Sequence, residues 1–154
     1  METALDSARF WFVHSFQARP SNDGRDSLTV ELVLVEGLQG PDGEGGLVGR
    51  PLRPDQRSRY ARVTFDRVVR LEIRPEWTDG ISAYETFEAL GPVTRLLRSR
   101  LLDSWNQEAG LDHVDPPLSP RFYHYRVYSV TNIFDIGATD APHVVLLPRD
   151  RVES

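Results

Sequence analysis

Residues 27–36, SLTVELVLVE, alternate almost without interruption. Leu28, Val30, Leu32 and Leu34 fall on one side of an extended chain, and Thr29, Glu31, Val33 and Val35 on the other. A period of two belongs to a strand; a helix repeats every 3.6 residues. A strand must in turn find partners for its backbone amides and carbonyls, so the rest of the chain has to supply neighbours. Residues 8–16, ARFWFVHSF, are rich in aromatic and β-branched types and read as a second strand, covered on both faces. The intervening QARPSNDGRD is turn chemistry, so the two strands are expected to form an antiparallel hairpin with a long loop.

Strand character returns at 60–74, YARVTFDRVVRLEIR. Val63 and Phe65 share one face, whereas Val69, Leu71 and Ile73 share another. The two parities are reconciled only by a turn or bulge near Asp66 and Arg67, which leaves either one bent strand or two short ones. Near the C-terminus, RFYHYRVYS (121–129), TNIFDIG (131–137) and HVVLL (143–147) read as three further strands, with ATDAP as a turn. Between these blocks the period changes. ISAYETFEALG suggests a short helix, with Ser82 as N-cap and Glu85 three residues on, a capping-box spacing. In PVTRLLRSRLLDSWNQEAG, Val93, Leu96, Leu97, Leu101 and Trp105 fall at helical spacing, Pro92 suits a first turn and Gly110 a stop. The expected fold is therefore α+β. A single domain over 1–154 has a mainly antiparallel sheet of about six strands and one principal amphipathic helix at 92–108.

Residues 37–59 carry Gly37, Gly40, Gly43, Gly45, Gly46 and Gly49 and read as a flexible Gly/Pro-rich surface loop. A phosphate-cradling loop is ruled out, because that motif needs a Lys and a following helix. The chain has no Lys, and Pro51 and Pro54 oppose a helix start.

Composition narrows the function classes. With no cysteine, disulfides, thiolate metal sites and a cysteine nucleophile are all excluded. A net charge of −5 argues against a broad nucleic-acid or anionic-membrane surface. No run reaches the roughly 18 apolar residues of a membrane-spanning helix, and no secretory signal pattern opens the chain. The expectation is a cytoplasmic protein that binds neither nucleic acid nor membrane. All 18 basic residues are arginine, which a GC-rich bacterial genome explains.

Candidate chemistry centres on histidine. His14 and His124 lie within strands, and His113 and His143 near loops. No two of the four are spaced for joint ligation on one element, and no helical zinc motif is present. The cluster of Asp112, His113 and Asp115 before two prolines reads as a turn. No nucleophile-elbow glycine pattern surrounds any serine. The aromatic run at 122–128 has bulky residues where an RNA-recognition strand requires small ones. His124, Asp135 and His14 are the polar residues singled out as binding candidates; no catalytic residue, metal ligand or cofactor is assigned.

The order Phe122-Tyr123-His124-Tyr125, then Phe134-Asp135-Ile136, resembles the ending of small β-rich bacterial proteins. Some of those are suspected immunity proteins of polymorphic toxin systems. The resemblance implies a non-enzymatic module that binds a protein partner, expected to have a basic surface, and it implies no site residues. Two alternatives remain open. One is a small metal-binding protein or enzyme using His124, His14 and Asp135; the other is a structural homodimer joined at a sheet edge.

Overall fold

The computed structural model describes Leu5 and residues 10–22, 27–39, 52–78, 82–89, 91–108 and 122–149. In chain order these form β1 (Trp11–Pro20), β2 (Leu28–Glu36), β3 (Leu38–Gln39), β4 (Leu52–Arg53), β5 (Tyr60–Pro75), a 3-10 turn (Glu76–Thr78), β6 (Thr86–Phe87), β7 (Val93–Arg98), α1 (Arg100–Glu108), β8 (Tyr123–Tyr128), β9 (Asn132–Ala138) and β10 (His143–Leu147). Eight strands make one antiparallel sheet in the order β1-β2-β5-β9-β8-β7-β6, with β10 also on β5; β3 and β4 form a separate pair. The mainly antiparallel sheet with one helix is as expected, with eight strands rather than six.

β5 is the spine. Its first half pairs with β2 on one side and β10 on the other, and its second half pairs with β9. β9 and β10 thus lie end to end along β5, parted only by residues 139–142. The parity conflict in the sequence resolves as one bent strand. Arg67 adopts a left-handed φ of 54°, and the ladders to β2 and β9 both slip beside it. An unbranched residue tolerates this conformation at some cost. Arg67 also donates from Nε to Asp140 Oδ2 at 2.7 Å, which ties the bulge to the break between β9 and β10.

The sheet folds over on itself. β1 and β9 stand three strands apart, about 14 Å in a flat sheet. Yet the rings of Phe16 and Phe134 lie 5.6 Å apart, as do those of Phe65 and Tyr125. Val130 N–H also donates to the Trp11 carbonyl at 2.9 Å. The enclosed face carries the core, including Leu32, Val63, Phe65, Val127, Phe134 and Ile136. Alternation then sends Leu96, His124, Arg126, Asp135 and Gly137 to the opposite face, where α1 covers part of them.

Three expectations are corrected. Residues 93–98 are a strand, and the helix starts only at Arg100. Val93, Thr94 and Leu96 are buried through pairing with β8, so tertiary contact overrides an apolar spacing that also fits a helix. Residues 82–89 form a turn and the two-residue β6, with no helix. Ser82 Oγ still accepts from Tyr84 N–H at 3.2 Å, and its carbonyl from Glu85 N–H at 2.9 Å, so the cap chemistry is spent on a turn. β1, expected to be covered on both faces, is an edge strand exposed from residue 14 to residue 20. It also runs on through residues assigned to the turn. Most of the Gly-rich loop, and the Asp112, His113 and Asp115 cluster, lie outside the described residues.

Candidate functional site

The face under α1 holds a continuous chain of polar side chains. β8 places His124 and Arg126 on this face, and in the β8–β9 register Arg126 stands opposite Asp135. Asp135 Oδ1 accepts from His124 Nε2 at 2.7 Å and from Arg126 Nε at 2.6 Å. Its Oδ2 accepts from Arg74 Nε on β5 at 3.0 Å. Arg126 then turns its two terminal nitrogens to Glu85, both at 2.9 Å, in a bidentate pair. On the other side of the ring, Ser99 Oγ lies 2.7 Å from His124 Nδ1.

Each member is held by a local device. Ser99 caps α1: its Oγ accepts from Leu102 N–H at 3.0 Å and its carbonyl from Asp103 N–H at 3.1 Å. Glu85 is aimed by the Ser82 turn, and Tyr84 beside it donates a short hydrogen bond to Asp103 on α1. Trp105 lies over His124 with ring centroids 5.1 Å apart. Gly137 makes this possible, since it faces His124 across the ladder. A Cβ there would meet the Trp105 and Phe122 rings at 3.2 Å and Arg70 Cβ at 3.0 Å.

Serine, histidine and aspartate in one hydrogen-bonded row invite comparison with a hydrolytic triad. Two features separate them. A triad presents the nucleophile to Nε2 and the acid to Nδ1; here Ser99 meets Nδ1 and Asp135 meets Nε2. Moreover Ser99, His124 and Asp135 are all 0% exposed. With Nε2 carrying the proton, His124 donates to Asp135 and accepts from Ser99, so both ring nitrogens are satisfied. An open cleft of about 380 Å³ reaches Arg74, Arg100, Arg126 and Asp135 but is not lined by Ser99 or His124.

Electrostatics lock the row together. Burial by itself raises the Asp135 carboxyl, but the hydrogen bond from His124 and the Arg126 charge outweigh it and bring it from 3.8 to about 2. Burial acts to lower Arg126, and the hydrogen bonds to Glu85, Tyr128 and Asp135 drive it well above its ordinary value instead. A carboxyl depressed in the folded state contributes stability that is complete above its unfolded value near 4 and is lost as pH falls toward 2. Over that window the fully buried Asp135 is expected to account for about 2 kcal/mol. Denaturant titrations of wild type and Asp135→Asn at pH 6, 4 and 2 check this: the gap between them should shrink with acid. Replacing Ser99 with alanine removes both the cap and the His124 contact. It is expected to cost about 1–2 kcal/mol in the same assay.

The structure therefore brings His124 and Asp135 into direct contact, through strands that break at residues 129–131. His14 is not part of this group. It stands on β1, edge-on to Tyr60 at 5.4 Å between ring centroids, with its side chain exposed. His143 is likewise exposed, on β10. No group of three or more His, Cys, Asp or Glu among the described residues is placed to hold a metal ion. No helix among them is long and apolar enough to cross a membrane. Ser99, Glu85, Arg74, Arg126 and Trp105 were not among the binding candidates; strand parity, which puts Arg126 on the His124 face, is the one signal that could have found a member of this group. No family model, curated protein or solved structure matches the chain.

Proposed function

We propose that this protein is a non-enzymatic module that binds another protein. One observation carries the reading: the Ser99-His124-Asp135 row is fully buried and internally satisfied. Ser99 is committed as a helix cap and as the partner of His124, and Trp105 closes the ring off. A buried polar network with every member paired rigidifies a fold. Meanwhile large apolar side chains stand at the surface, with Trp77 82% exposed, and exposed tryptophan is a frequent anchor of protein interfaces. The finer form of this proposal is an immunity-type inhibitor, which occludes the active site of a partner bearing basic residues.

The test is affinity capture by the immobilised full chain at low and high salt, with a fluorophosphonate labelling control. The expected result is one stoichiometric partner, released as ionic strength rises, and no label on Ser99. Capture of nothing in repeated trials, or label on Ser99, would overturn the reading.

A further inference from the structure

β5 outruns one of its neighbours. The ladder from β2 ends at the pair Leu28↔Val68, whereas β9 continues to Pro75 on the opposite side. Residues 69–75 therefore have a ladder partner on one side only among the described residues. Glu76 N–H pairs with the Thr131 carbonyl, so by alternation Leu71, Ile73 and Pro75 turn their backbone groups outward. Pro75 has no N–H and its carbonyl accepts from Thr78, which leaves Leu71 and Ile73 as the open positions. The edge opens at a cavity of about 440 Å³, lined by Pro20, Leu28, Val68 and Leu71, where β1 and β2 stop.

The far end of this edge carries Trp77. The 3-10 turn that bears it is pinned at both ends. Glu76 N–H donates to the Thr131 carbonyl at 3.1 Å, and Thr78 Oγ1 donates to the Pro75 carbonyl at 2.6 Å. A large ring held out from a fixed turn loses little freedom on binding.

Charge identifies the occupant. Arg70 is matched by Glu108 at 3.6 Å and Arg74 by Asp135 at 3.0 Å. Glu72 and Glu76 make no ion pair among the described residues, and both are exposed. The edge thus has two carboxylates without an ion pair among the described residues, of which Glu72 also borders the cleft that reaches Arg74, Arg100 and Arg126, together with an exposed Ile73 and an exposed tryptophan face. The outer edge of β1, by contrast, contains Arg19 and no acidic residue.

We propose that an extended, basic segment of a partner protein adds to the sheet as a short further strand on β5 at Leu71 and Ile73, with Trp77 closing over one of its cationic side chains. Main-chain hydrogen bonds give such strand addition its affinity, and alternate side chains give it specificity. The incoming segment alternates apolar residues, packing on the Ile73 face, with Lys or Arg on the Glu72 face; a cation over the indole adds to this. The proposal rests on the binding-module reading above and names where and what the module binds.

The test uses the full chain and soluble proteins of its source cells, divided by a cation exchanger at pH 7 into a basic retained fraction and an acidic flow-through. Each fraction is passed over immobilised wild type, Trp77→Ala and the double variant Glu72→Gln/Glu76→Gln. Hydrogen exchange across residues 69–77 is then followed in each complex. All three positions are exposed, so the variants should fold as wild type does. The expected result is capture from the basic fraction, with exchange in the edge amides slowed about tenfold or more. Both variants should lose at least tenfold in retention. Capture that leaves 69–77 unprotected, or that is equal for wild type and both variants, overturns strand addition here and leaves the binding-module reading standing. Capture from the acidic fraction alone overturns the partner's charge. Protection that grows with the protein's own concentration assigns the edge to a second copy and overturns the proposal. Capture from neither fraction removes both readings.

Discussion

Replacing Asp135 with alanine is expected to destabilise the protein by about 3–5 kcal/mol, the largest single effect in the polar row. The carboxylate is 0% exposed and accepts three hydrogen bonds, from His124, Arg126 and Arg74. Its removal leaves Arg126, itself 2% exposed, with Glu85 as its remaining carboxylate and strands the His124 donor in the interior. An unpaired buried charge costs far more than the pair contributes when intact. Glu85 is more open to solvent, with 12% of its side chain exposed, so Glu85→Ala should cost clearly less. Urea unfolding of both variants at pH 7 gives the comparison. Equal costs would mean that Asp135 is not the hub of the row.

Trp105→Ala is expected to cost a similar amount, about 3–5 kcal/mol, by opening a cavity over His124. Trp105 is the one buried residue of α1 and touches both Phe122 and His124. Its loss should have a second, chemical consequence. In wild type His124 is sealed, so diethylpyrocarbonate should modify exposed His14 and His143 and spare His124. In the variant His124 should become reactive. Mass spectrometry of the modified peptides reads this directly. Reaction of His124 in the folded wild type would show that the ring is accessible, which would reopen chemistry at this position.

The second half of β5 and the buried row are physically connected. Arg74 lies on the half of β5 that bears the open edge, and its Nε reaches Asp135 in the buried network. The network thus fixes the strand to which a partner would add. A binding edge gains from such rigidity, because ordering costs on association are already met in the free protein.

Strand identity was legible where side chains alternate in chemistry. SLTVELVLVE and YHYRVY are strands for reasons local to their own residues, and a change of parity located a turn or bulge near Asp66 and Arg67, which the structure shows to be a bulge in one bent strand. The helix boundary was not legible, because Val93, Leu96 and Leu97 satisfy a helical spacing as well as a strand's, and β8 decided between them. Ser82 and Glu85 had the spacing of a helix cap, yet the same hydrogen-bonding chemistry closes a turn that aims Glu85 at Arg126. Parity within β8 puts His124 and Arg126 on one face, yet Arg126 was not among the binding candidates. Their meeting with Asp135 depended on the register of β8 against β9, and with Ser99 on where α1 begins. Register and burial are set by long-range packing, so residue types by themselves established the sheet and its polar candidates. Only the tertiary structure decided that His124 is enclosed, that His14 stands apart, and that the second half of β5 has a ladder partner on one side only among the described residues.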